Sequence, residues 1–211
     1  MDIKYVHIFD CDGVILDSNN FKIESLKKSL NKEDFSNSDI EKILSFFKSN
    51  FGLTRDSHFI KFREIINQNE SHHDNKFRKL RTSYDLTVLR DYPKCSLIEE
   101  NVEHIKKLVE KNDIYIVSAS DQVELRSFLP EKFKSVKEKN ILGGPTKKSQ
   151  NLKALKNKLG NKLVYYGDSV NDARAAIDNN IKFIGLSKYS NTRNKLIEFC
   201  AEKNLIVRET L

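Results

Sequence analysis

The sequence predicts an α/β chain: a parallel sheet with helices on its faces, and an all-helical segment inserted after the first strand. Three observations carry this. Four short apolar runs, at 3–9, 114–117, 163–166 and 181–186, have the length and the β-branched or aromatic content of buried strands. Segments of helical periodicity precede the last three of these runs. A long stretch, 19–90, carries helical periodicity with no strand pattern in it.

Residues 3–9 (Ile-Lys-Tyr-Val-His-Ile-Phe) form a run that stops at Asp10, and His7 within it reads as a packed, hydrogen-bonded histidine. Ile23, Leu26 and Leu30 then suit one helix, and Ile40, Ile43, Leu44 and Phe47 a second. Phe59, Phe62 and Ile66 suit a third; Phe77, Leu80, Tyr84 and Val88 suit a fourth. The polar stretch 67–76 between the last two is expected to be a loop. Its His72-His73 pair lacks a neighbouring cysteine or third ligand and reads as solvated. The chain is expected to return to the sheet near Asp91-Tyr92-Pro93, which divides it into a core of 1–17 and 92–211 and a helical insert of 18–91.

Ile98, Val102, Ile105 and Val109 predict a helix before the run 114–117, which stops at Ser118. Leu152, Leu155 and Leu159 precede the run 163–166, which stops at Gly167-Asp168. Val170, Ala173 and Ile177 precede the run 181–186. Strand–helix alternation of this kind gives a parallel sheet, and ligands of such sheets gather at the carboxyl ends of the strands. Asp10, Ser118 and Asp168 all fall there.

Composition narrows the class. The 211 residues allow one large domain, or one domain with an insert. No 18-residue apolar window exists, so no transmembrane helix is expected. The acid-interrupted N-terminus does not read as a signal peptide. The net charge of +7 is spread along the chain; it suits anionic ligands and implies neither nucleic acid nor a membrane partner. Cys11, Cys95 and Cys200 are odd in number and far apart, so neither a disulfide framework nor a zinc site is expected, and a reducing cytoplasm fits. No extended heptad demands an oligomer, and a monomer or weak dimer is expected.

Two acidic segments carry the chemistry. Asp10-Cys11-Asp12-Gly13-Val14 sets two carboxylates directly after a buried run, an arrangement that repels itself unless a cation is near. Gly167-Asp168-Ser169-Val170-Asn171-Asp172 follows another strand and opens a helix, which puts Asp172 one turn beyond Asp168. Either segment alone reads equally as an acidic turn or a helix cap. Two of them at the ends of parallel strands suggest four converging carboxylates, Asp10, Asp12, Asp168 and Asp172, around a hard divalent cation, Mg²⁺. Ser118 and the backbone N–H groups after it, starting at Ala119, can hold phosphate oxygens, or can be a plain strand-end turn. Lys147 or Lys148, after Gly143-Gly144-Pro145-Thr146, can balance the negative charge or lie in solvent.

In this order, the segments resemble the motifs of the haloacid dehalogenase superfamily of phosphohydrolases. Asp10-Cys11-Asp12-Gly13-Val14 matches its DxDG[TV] motif and Ser118 its strand-end Ser or Thr. Lys148, favoured over Lys147, matches its lysine, and Gly167 to Asp172 its GDSxxD. The resemblance implies a Rossmann-like core with an all-helical type-one cap, and a Mg²⁺-dependent phosphatase acting on a small phosphorylated metabolite, sugar-phosphate or phosphoglycolate-like. It implies Asp10 as nucleophile, forming an aspartyl-phosphate, and Asp12 as general acid–base with a carboxyl pKa raised by its neighbour. Mg²⁺ would meet Asp10, the Asp12 backbone carbonyl and Asp168, with Asp172 as ligand or behind them. Ser118, Ala119 and Lys148 would take the phosphoryl oxygens. The cap would supply specificity through Arg55, in Gly52-Leu53-Thr54-Arg55, and through Lys22. A phosphomutase of the same superfamily is the alternative; a receiver-like phosphoacceptor and a non-catalytic binding protein are weaker ones.

Overall fold

The computed structural model describes residues 5–66, 71–109 and 113–211. Strand β1 (Val6–Phe9) leads into four helices, α1 (Asn19–Lys32), α2 (Asn37–Ser49), α3 (Arg55–Ile65) and α4 (Ser71–Asp91). A 3-10 turn at Tyr92–Lys94 follows, then α5 (Glu99–Val109), β2 (Ile114–Asp121), α6 (Gln122–Lys132), a second 3-10 turn (Glu138–Asn140) and β3 (Ile141–Gly144). The chain closes with α7 (Lys148–Leu159), β4 (Leu163–Gly167), α8 (Val170–Ile177), β5 (Lys182–Leu186), α9 (Arg193–Glu202) and β6 (Ile206–Arg208). All six strands are parallel, in the order β3-β2-β1-β4-β5-β6. This is the Rossmann-like α/β fold.

The topology makes the site. Strand β1 is central, paired with β2 through Phe9 and Ile116 and with β4 through Phe9 and Tyr166. The residues just past these pairs are therefore Asp10, Val117-Ser118 and Gly167-Asp168. The strand order reverses at β1, and at such a switch point the loops on either side diverge and leave a crevice. The β2–β3 ladder also shifts register between Val117 and Asp121, which bends the chain at Ser118–Ser120.

Side chains alternate across the sheet with a period of two. Phe9, Ile116, Val164 and Tyr166 face one layer, with α5, α6 and the four-helix insert; Ile8, Val117 and Tyr165 face the other, with α7, α8 and α9. The insert's buried residues, Leu26, Ile43, Phe62 and Leu80 among them, are continuous with the first layer. Polar caps start the helices: Ser36 accepts from the Asp39 N–H, Thr54 from the Ser57 N–H, and Asp121 from Val123 and Glu124. His7 is packed as expected, its Nδ1 3.1 Å from the Tyr166 hydroxyl.

Three expectations need correcting. The loop expected over 67–76 is helical from Ser71, where α4 begins; 67–70 lie outside the described residues, as do the side chains of His72 and His73. Strand β3 was not expected, because two of its four residues are glycine. A Cβ on Gly143 would sit 2.5 Å from the Ser120 carbonyl oxygen, so the glycine permits the close approach to β2. Strand β6 was not expected either; its three residues form a largely exposed edge, and its apolar run is very short.

Candidate active site

Asp10 leaves β1 with its N–H bonded to the Tyr166 carbonyl at 2.9 Å, which fixes where its side chain starts. Its Oδ1 accepts the Cys11 N–H at 2.7 Å, and its Oδ2 accepts Lys148 Nζ at 2.7 Å. The chain then doubles back: the Gly13 N–H meets the Leu16 carbonyl, and the Ile15 and Leu16 N–H groups both meet the Cys11 carbonyl. Gly13 is required twice over. Its φ is +72°, and a Cβ there would lie 2.2 Å from Asp168 Oδ2.

Asp168 arrives on β4 and is held by Asn19, whose Nδ2 donates to Asp168 Oδ2 at 2.8 Å. Ser169 caps α8 in a reciprocal box with Asp172. Asp172 Oδ2 accepts from the Ser169 hydroxyl and N–H, at 2.6 and 3.1 Å. Its Oδ1 accepts from Lys148 Nζ at 2.6 Å and from the Tyr165 hydroxyl at 2.8 Å. Lys148, the first residue of α7, thus bridges Asp10 and Asp172 from a buried position, while Lys147 points to solvent.

One carboxylate oxygen from each of Asp10, Asp168 and Asp172 lies within 4.8 Å of those from the other two. Burial raises the Asp10 carboxyl to about 7, with Lys148 opposing and Asp172 and Asp12 adding to the rise. Burial, then Asp10 and Asp172, raise Asp168 well above the carboxylate range. Lys148 goes the other way: burial lowers its pKa, but Asp10 and Asp172 outweigh that and keep it charged. One ammonium thus stands against three buried acids. Hard oxygen donors in this surplus fit a divalent cation such as Mg²⁺.

Asp12 differs. Its Oδ2 accepts from Lys22 Nζ at 2.5 Å and from the Ser120 hydroxyl at 2.7 Å; its Oδ1 accepts from the Ser18 and Tyr92 hydroxyls at 2.5 and 2.7 Å. Its side chain therefore turns away from the three-carboxylate cluster toward the insert. The raised pKa expected for Asp12 does not hold here. Burial pushes the carboxyl up, but Lys22 and the hydroxyl donors outweigh it and hold it well below the usual carboxylate range.

A family model described as haloacid dehalogenase-like hydrolase matches residues 7–186. The chain belongs to that family. Solved structures agree on the fold of this haloacid dehalogenase-like protein. A hydrolase from Pseudomonas syringae superposes with a TM-score of 0.74 at 16% identity, over 98% of this chain and 94% of that one. A predicted phosphatase from Clostridium acetobutylicum gives 0.73 at 20%, over 98% and 94%. A predicted phosphoglycolate phosphatase from Haemophilus somnus gives 0.69 at 17%, over 96% and 93%. A search of curated proteins finds no match.

In this haloacid dehalogenase-like chain, the insert roofs the crevice. Asp10, Asp12, Ala119, Ser120, Lys148 and Asp168 form the floor, with Lys22, Arg55 and apolar insert residues above. Ser118 is fully buried, its hydroxyl accepting the Ser120 N–H at 3.1 Å. Arg55 lines the pocket, but its guanidinium grips Glu124 of α6 at 2.7 and 2.6 Å and Asp85 of α4 at 3.0 Å. Asn171 donates to the Phe51 carbonyl at 2.7 Å, a further tie between core and insert.

Sequence reasoning missed Ser120, Tyr92, Asn19 and Glu124. Ser120 had a signal: it stands two residues from Ser118 in an extended strand and so repeats its side. Tyr92 and Asn19 stand at the two ends of the insert, where only the folded topology brings them to Asp12 and Asp168.

Proposed function

We propose that the chain is a Mg²⁺-dependent phosphatase that hydrolyses a small phosphomonoester through a phosphorylated Asp10. The observation that carries this reading is the bridge from Lys148 to Asp10 and Asp172, with Asp168 in the same buried cluster. Asp10 after β1, Lys148 at the start of α7, and Asp168 and Asp172 after β4 meet at the carboxyl end of the sheet, which supports Asp10 as a nucleophile beside a positive charge and an acid set suited to a cation. Asp10, Asp168 and the Asp12 backbone carbonyl would hold the ion, with Asp172 fixed behind them by its four hydrogen bonds. Bound there, Mg²⁺ offsets the negative charge shared by carboxylates and phosphoryl oxygens.

Asp10 forms a bond to phosphorus as the bond to the leaving alcohol oxygen breaks. Asp12 gives a proton to that oxygen. It then takes a proton from the water that attacks phosphorus, the Asp10–phosphorus bond breaks, and free phosphate leaves. Asp12 is ionised beside Lys22 in the substrate-free site, and an entering phosphate dianion raises its proton affinity by like charge. Ser118, the Ala119 N–H and Lys148 take the phosphoryl oxygens. The insert closes over the reaction and excludes water. The three free thiols suit a reducing, cytoplasmic setting.

Asp10→Asn is expected to abolish phosphate release from p-nitrophenyl phosphate while the fold is kept. EDTA is expected to suppress wild-type turnover and Mg²⁺ to restore it. Full activity in a clean Asp10→Asn preparation rules the mechanism out.

A further inference from the structure

We infer that the alcohol part of the substrate is uncharged and mainly apolar; this rests on the phosphatase reading above. The insert faces Asp10 with Leu26, Phe47, Phe51, Leu53, Phe59 and Tyr84, one or more from each of its four helices and from the loop joining α2 to α3. This surface lies over the side of the site from which a leaving alcohol departs, since Asp12, the proposed proton donor, turns toward it.

The charged groups on that wall, and the His58 ring, are already occupied. Lys22 Nζ holds Asp12 and the Ser120 hydroxyl, both at 2.5 Å. Arg55 is bidentate on Glu124 and also holds Asp85. His58 Nε2 is bonded to the Asn50 carbonyl at 3.1 Å, and burial lowers its pKa to about 4, so it stands neutral. Among the described residues, the buried side-chain polar atoms without a partner are Asn19 Oδ1 and Asn191 Nδ2, and neither residue lines this pocket.

Two substrate classes meet opposition here. A second anion, such as the carboxylate of phosphoglycolate, would have to displace Glu124 from Arg55 or Asp12 from Lys22. A sugar would bring several hydroxyls against aromatic rings, and each hydroxyl left unpaired loses its hydrogen bonds to water. An aryl-methyl or short alkyl group meets neither penalty and covers the rings.

The test compares kcat/KM for benzyl phosphate, ribose 5-phosphate and 2-phosphoglycolate with Mg²⁺ present. The first two are esters of primary alcohols, so leaving-group reactivity does not separate them. Benzyl phosphate is expected to lead each of the others by at least ~10-fold, the size of effect one apolar contact supplies. Leu53→Ser, at a half-buried loop position, is expected to shrink that lead by ~10-fold. A faster ribose 5-phosphate or 2-phosphoglycolate reaction overturns the substrate class and leaves the phosphatase reading standing. A lead that Leu53→Ser does not change overturns the assignment to this wall. No phosphate release from any ester defeats the phosphatase reading itself, and the inference with it.

Discussion

Lys22 Nζ lies 2.5 Å from Asp12 Oδ2, and each side chain is only 11% exposed. The pair joins the first helix of the insert to the first acidic segment of the core. Removing one partner of such a pair strands the other charge in a poorly hydrated place. Lys22→Met is therefore expected to lower stability at pH 7 by about 3 kcal/mol. The sign with pH follows from the depressed Asp12 carboxyl. Its contribution is complete above the unfolded carboxylate pKa and is lost as pH falls toward the folded one. Urea unfolding of wild type and variant should show a gap that is constant near neutrality and closes below pH ~4. A gap that persists in acid would mean that Lys22 acts by packing alone.

Asp10 and Asp168 predict the opposite pH response. Burial and mutual repulsion raise both carboxyls, Asp10 to about 7. In metal-free protein, the stability tied to their protonated forms is present at low pH and lost as pH rises through about 7. Mg²⁺ binds the ionised forms, so its stabilising effect should grow with pH. The melting temperature is expected to rise more on adding Mg²⁺ at pH 8 than at pH 5.5. At a hundredfold excess over its dissociation constant, the ion contributes about 2.7 kcal/mol. Asp168→Asn should remove most of this increment. An equal rise at both pH values would place the ion elsewhere.

What the sequence made legible follows from the range of each signal. Asp10, Asp12, Asp168 and Asp172 were readable because each acidic pair is local and follows a strand whose apolar run is plain. Lys148 was readable only as one of two neighbours; the start of α7 at that residue aims it inward and leaves Lys147 outside. The partners that set the charge state of Asp12 were not readable. Tyr92 is 80 residues away and Ser120 is 108, and no local pattern records either contact. The reversal of the Asp12 pKa expectation has that origin: the neighbouring acid was visible in the chain, and the ring of donors was not. Strand β3 escaped for a different reason, since its glycines serve backbone approach and carry no hydrophobic pattern.

His58 supplies a third stability prediction. It is buried among Phe46, Phe47 and Phe62, and burial, with Lys22 nearby, lowers its pKa to about 4. Folding holds the ring neutral, while the unfolded chain takes up a proton near pH 6.5. Stability from this residue is therefore present above pH ~6.5 and lost as pH falls toward 4, by about 3 kcal/mol. His58→Phe keeps an aromatic ring in place and removes the titration. The difference between wild type and variant isolates this effect from the acids, and it should shift in the variant's favour by about 2 kcal/mol from pH 7 to pH 4.5. A difference that does not change with pH would show that the ring stays hydrated.

Arg55 and Glu124 test how firmly the insert is tied to the core. The guanidinium meets both carboxylate oxygens, at 2.7 and 2.6 Å, and each side chain is 15% exposed. Burial works against the Arg55 charge, and the hydrogen bonds to Glu124 outweigh it. The planar fork suits this two-point contact, which a single lysine charge would not reproduce. Arg55 also holds Asp85, and Arg81 holds Asp56, so α3 is fixed to α4 as well as to α6. A double-mutant cycle on Arg55→Met and Glu124→Gln is expected to give a coupling of about 1–3 kcal/mol, well above that of an exposed pair. The pair is partly buried, so moderate salt should reduce this value only slightly. Arg55→Lys should recover less than half of the coupling. Strict additivity of the two single substitutions would show that the carboxylate is equally well hydrated without its partner, and that packing with the Lys22, Asn19 and Asn171 contacts holds the insert over the site.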